Sequence, residues 1–148
     1  MHDRNAAAIF CPTSNLFLGS GLFDLQAMNQ NDVRVGLATD VGGGTSLSML
    51  RTMAAAYKVL QMRGQNLPAT RALYLATLGS ARALDIDEHV GNFAPGKEAD
   101  FIVLDPAGTT LSSRRTAELE SAEEKLFALI ILGDDRHVEA TYVCGERV

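Results

Sequence analysis

Cysteine is scarce in this chain: two residues in 148, Cys11 and Cys144, far apart in sequence. They form neither a metal knuckle nor a disulfide framework, which points to a reducing, cytoplasmic setting with two buried free thiols. Basic runs are missing too, beyond the pair Arg114-Arg115, and the net charge is −5. That argues against nucleic acid or an anionic membrane surface as a partner. No apolar stretch approaches the ~20 residues of a membrane helix. The start, MHDRNAAAIFC, lacks the charged lead and long apolar core of a signal peptide. Histidine is limited to His2, His89 and His137, and no two of them stand at metal-binding i, i+2 or i, i+4 spacing. All three are expected to be solvated. The polar lead-in before Ala6 is very short, so the chain is expected to be part of a longer protein.

What is present is globular: 47% hydrophobic and 21% charged residues. The expected class is α/β. Ala6–Cys11 reads as a buried strand stopped by Pro12, and Pro12–Asp24 as a loop. Leu25–Gln30 is expected as a short helix and Val33–Thr39 as a second buried strand, since neither strand alternates polar with apolar. Thr45 or Ser46 is expected to cap a helix running to about Arg63, with Leu47, Leu50, Met53, Ala54, Tyr57 and Leu60 on its apolar face. Met49, Met53 and Met62 are expected in the core. A further helix starts at Pro68, followed by a short piece over Ser80–Leu84.

Beyond Asp85 the composition changes. Asp100–Leu104 reads as a strand, and Ser121 and Glu124 have capping-box spacing before a helix that ends at Gly133. Val138–Val143 reads as the last strand. Glu118, Glu120, Glu123 and Glu124 form a solvated acidic face. The division expected is 1–88, two strand-plus-helix units, and 89–148, a small β-rich unit with one helix.

The most informative stretch is RVGLATDVGGGTSLS, residues 34–48. It reads as strand, carboxylate, glycine loop and helix. Asp40 thereby ends a buried strand, where α/β proteins place their chemistry; the other reading is a helix-capping aspartate. Gly42–Gly44 invites comparison with a phosphate cradle, but no Walker lysine or G-x-G-x-x-G accompanies it, and Asp40 would repel an anion. Close backbone packing at the mouth of a site is the preferred reading. Ser46 and Ser48 have no local histidine partner to make either a nucleophile.

CPTSNLFLGSGLFDL at 11–25 and GLATDVGGGTSLSMLRTMAAAYKV at 36–59 closely resemble the guanine deaminase family of the amidohydrolase superfamily. YLATLGSARAL at 74–84, GKEADFIVLD at 96–105 and LFALIILGDDRHVEATYVCGERV at 126–148 fit the same family. The resemblance implies a metal-dependent (β/α)8 barrel with a composite β-sandwich. Residues 1–88 would supply barrel strands seven and eight with their helices, and 89–148 part of the sandwich. A whole barrel takes about 250 residues, so the resemblance makes this chain the last third.

The implied reaction is hydrolytic deamination of guanine to xanthine and ammonia in purine catabolism, with zinc activating the attacking water. Of the family's ligand set, Asp40 alone carries over, as metal ligand and proton acceptor. Ser14 and Asn15 are candidate purine contacts or turn formers. The implied partners are guanine and either a second copy or the missing amino-terminal part. Two alternatives are an inactive remnant that folds by self-association, and a relative acting on another heterocycle.

Overall fold

In a computed structural model, residues 6–148 are described. The first part holds β1 (Ala7–Phe10), α1 (Pro12–Leu18), α2 (Leu25–Gln30), β2 (Arg34–Leu37), α3 (Met49–Met62), α4 (Ala69–Ala76) and α5 (Leu78–Ala83). Next come β3 (Phe101–Leu104), α6 (Thr110–Thr116), α7 (Ala122–Leu132), a 3-10 turn (Asp135–His137), β4 (Val138–Val143) and β5 (Glu146–Arg147). β1 and β2 pair in parallel, with Ala7 opposite Arg34 and Phe10 opposite Leu37. β3, β4 and β5 form a separate antiparallel sheet.

Two parallel strands need a crossover, and α1 and α2 supply it. α1 lies within the segment expected to be a loop. Pro12 both stops β1 and opens α1 at the first helical turn, where its missing N–H costs nothing. α3 begins later than expected: Ser48, rather than Thr45 or Ser46, caps it by accepting from the Arg51 N–H. Ser46 Oγ instead accepts from the Ser48 N–H at 3.1 Å, which extends the turn by one step. Leu47 is therefore ahead of the helix and exposed.

The core joins Phe10, Val35 and Leu37 to Leu50, Met53, Val59 and Leu60 of α3 and to Leu75 of α4. Phe10 stacks on Phe23 with ring centroids 4.5 Å apart. Of the three methionines, Met53 is buried and Met49 packs against the core, but Met62 is exposed at the last turn of α3. Ser80 Oγ clamps α5 to β2 by accepting from the Leu37 N–H at 3.1 Å and bonding the Leu37 carbonyl at 3.2 Å.

The Ser121–Glu124 capping box forms as expected. The helix it opens, α7, buries Ala128, Leu129 and Ile130, and Phe127 meets Tyr57 of α3 edge-on at 5.2 Å. Gly133 ends α7 in extended backbone rather than the left-handed form; what it answers is space, since a Cβ there would stand 2.3 Å from the Leu129 carbonyl. The carboxyl-terminal part holds α6 as well as α7, where the sequence suggested one helix. β4 is followed by β5 through the two-residue turn Cys144-Gly145, both at positive φ as such a hairpin requires.

Asp24 caps α2, accepts from the Ala27 N–H, and meets Gln65 and Arg63 from the end of α3. The Ala27 N–H, then Gln65, then Arg63, hold its carboxyl below the ordinary range. A depressed folded pKa contributes stability above the unfolded value of about 3.9, lost as pH falls through the folded value. Urea midpoints measured from pH 5 to pH 2 should therefore fall more steeply in the wild type than in Asp24→Asn. Parallel curves would show that the cluster contributes nothing to acid stability.

Candidate functional site

Asp40 lies three residues beyond β2, at its carboxyl end, and its side chain is exposed. Its backbone is left-handed at φ 49, a region that aspartate tolerates better than most residues. The carbonyl of Asp40 accepts from the Gly44 N–H at 2.5 Å, and Gly42 N–H reaches the Gly44 carbonyl at 3.3 Å. The chain thus folds tightly back on itself over residues 40–44. A Cβ on Gly44 would stand 1.8 Å from the Thr39 carbonyl, and Gly42 has φ 120. The glycines answer steric demand, in agreement with the close-packing reading.

Cys11 follows β1 at the same end of the sheet. Burial pushes its thiol pKa up, and the negative charge of Asp40 adds to the shift. The two groups are therefore in electrostatic reach, although sequence alone did not link them. Register carries the signal: Phe10 is opposite Leu37, and the Ala38 N–H bonds the Phe10 carbonyl at 3.0 Å, so residues just past each strand end meet. Neither cysteine is buried as expected; Cys11 is half-buried and Cys144 exposed.

Ser14 and Asn15 both sit on α1. Ser14 is only 2% exposed and packs beneath Gly43, whereas Asn15 is half-buried. His2 lies outside the described residues. His89 is exposed, as expected. His137 is not: it is fully buried, with Nε2 3.0 Å from Ser112 Oγ and Nδ1 accepting from the Asp134 N–H at 3.2 Å. It ties the start of α6 to the turn before β4. The spacing Thr109-x-x-Ser112 and Asp134-x-x-His137, two local caps, was the available clue.

Zinc takes three or four ligands. Asp40 offers one carboxylate, and among the described residues no group of three ligating side chains includes it. Ligand atoms of Glu98, Asp100 and Cys144 do lie within 4.8 Å of one another, but all three residues are exposed, in the segments before β3 and after β4. Asp100 there already accepts from the Cys144 N–H at 2.7 Å. A cavity of about 710 Å3 lies elsewhere, between Tyr57, Leu67, Pro68, Arg115 and Phe127, and Asp40 does not line it. The donor set of the described residues does not complete a zinc site around Asp40.

A parallel strand pair joined and covered by helices, beside a separate antiparallel sheet, defines an α/β protein. The amidohydrolase family pattern matches residues 2–148, and the chain belongs to that family. It is 50% identical to guanine deaminase of Escherichia coli (strain K12) over 148 residues, covering 100% of this chain and 34% of that protein. The solved structure of E. coli guanine deaminase superposes with a TM-score of 0.96 at 51% identity, covering 99% of this chain and 34% of the other. Guanine deaminase from C. acetobutylicum, solved with guanine in its active site, gives 0.82 at 28% identity, over 99% of this chain and 35% of that one. The chain thus spans about a third of the length of the relatives it matches. Among the described residues no helix is long and apolar enough to cross a membrane.

Proposed function

We propose that this chain is the carboxyl-terminal part of a cytoplasmic, zinc-dependent guanine deaminase that converts guanine to xanthine and ammonia. The observation that carries the reading is Asp40 at the carboxyl end of β2, in a chain half identical along its whole length to a guanine deaminase. Residues 1–88 then supply barrel strands seven and eight, and 89–148 part of the composite sandwich. The parallel β1–β2 pair and the separate antiparallel sheet support that division.

Asp40 is the residue that holds the metal here, and the remaining ligands come from outside these 148 residues. When bound, zinc supplies an activated water near neutral pH. The contribution of this chain would be an exposed carboxylate on a tightly closed turn, able to hold the metal and to accept a proton. Asn15, half-buried on α1, is the candidate purine contact. Among the described residues β1 and β2 pair with no third strand, and a two-stranded parallel pair of this kind takes further strands alongside it. The partner is the amino-terminal part of the protein or, without it, a second copy.

The test is an assay of the whole protein on guanine, adenine and a triazine, with products separated by chromatography. Xanthine from guanine at a rate at least about tenfold above the other two supports the reading; preference for another heterocycle contradicts it.

A further inference from the structure

We infer that Ser14 is a positioning residue for Asp40, acting through Gly43. The inference rests on reading Asp40 as the metal-holding carboxylate.

Ser14 and Leu18 stand one helical turn apart on α1, and both face the glycine turn. A Cβ built on Gly43 would lie 2.6 Å from Ser14 Oγ, 3.4 Å from Leu18 Cδ1 and 3.5 Å from Ser14 Cβ. Gly43 is therefore seated directly on the Ser14 hydroxyl. The rest of the turn closes on itself: Gly44 packs on the Thr39 carbonyl, and its N–H bonds the Asp40 carbonyl at 2.5 Å. Asp40 is in left-handed backbone, a conformation that persists only where its surroundings hold it. The turn leaves β2, while the seat belongs to α1, which leaves β1. Contact between them sets the height of the turn above the strand ends.

Size at position 14 follows from this geometry. Ser14 is 2% exposed, so a larger side chain there must displace its neighbours, and Gly43 is seated on its hydroxyl. Ser14→Thr adds a methyl against the turn from below, and Gly43→Ala adds one from above. Ser14→Ala removes the one atom that collides with an added Cβ at 43; the remaining neighbours, at 3.4 and 3.5 Å, are in ordinary contact. Ser14→Ala should therefore rescue Gly43→Ala. Leu18 makes the same rescue by Leu18→Ala ineffective, since its contact is already ordinary.

The experiment is amide hydrogen exchange on the 148-residue chain, read at Gly44, whose buried N–H reports the Asp40 turn. Gly43→Ala and Ser14→Thr are each expected to speed exchange there about tenfold or more while the α3 amides hold their rates, the pattern of a local opening. The pair Gly43→Ala with Ser14→Ala should return Gly44 to within about threefold of wild type. If one single variant fails to fold, the other gives the same reading. Zinc affinity and kcat of the whole protein should follow the Gly44 rate through the same three variants, with KM nearly constant. No rescue at Gly44, or uniform acceleration throughout α3, would overturn the inference. So would Gly44 rates that change while zinc affinity and kcat do not. Absence of zinc and turnover in the wild type would instead remove the metal reading of Asp40, and the Gly44 rates would then decide the seat by themselves.

Discussion

The Asp40→Asn substitution is expected to reduce guanine conversion by the whole protein by about 100-fold or more, with little change in stability. Loss of an outer-shell partner of a metal ligand already costs about 10–100-fold. Asp40 is read as a ligand and a proton acceptor together. Asparagine has the same shape and also tolerates left-handed backbone, so the turn at φ 49 is kept. What disappears is the anionic oxygen. Asp40→Gly makes the complementary test, because glycine relieves the positive φ while removing the carboxylate altogether. Its melting temperature should equal or exceed that of the wild type even as activity is lost. Both variants are checked by kcat/KM, zinc content and thermal unfolding. Retained turnover in Asp40→Asn would return this residue to the ordinary role of closing a turn.

The second large effect is expected in the packing that joins the two ends of the chain. Ile130→Ala should cost about 2–5 kcal/mol, the usual range for truncating a buried branched aliphatic side chain. Ile130 is 2% exposed and belongs to the same core as Phe10, Leu50 and Leu75, although it lies in the segment assigned to the sandwich portion. α7 thus crosses back to cover α3 and α4, with Phe127 against Tyr57. Residues 1–88 alone would expose that face to water. Urea unfolding should show one transition that moves to lower denaturant in Ile130→Ala. Two transitions, only one of them shifted, would mean that the portions are stabilised independently.

Much of this was legible in the sequence where the controlling interaction is local. β1 and β2 show as short apolar runs bounded by breakers. The Ser121–Glu124 box shows by spacing, and Asp40 by its place between a strand and three glycines. Features set by competition or by distant partners were not legible. Pro12 is compatible both with ending a strand and with opening a helix, and it does both. Thr45, Ser46 and Ser48 all suit a cap; Ser48 takes the role because Ser46 is engaged with the Ser48 N–H. The burial of His137 depends on Ser112, 25 positions away in sequence; the Asp134-x-x-His137 spacing marks a local cap but not the distant partner. The seat of Gly43 on Ser14 likewise joins the ends of two strands that only parallel pairing brings together.

Zinc content measured alongside xanthine formation is the most direct test of the claim that Asp40 is one ligand of a site completed from outside this chain. The account predicts little bound zinc and no xanthine from the 148-residue chain by itself. It predicts about one zinc per site, with turnover, when the same chain is part of the whole protein. Stoichiometric zinc and xanthine formation by the chain alone, unchanged by Asp40→Asn, would contradict it.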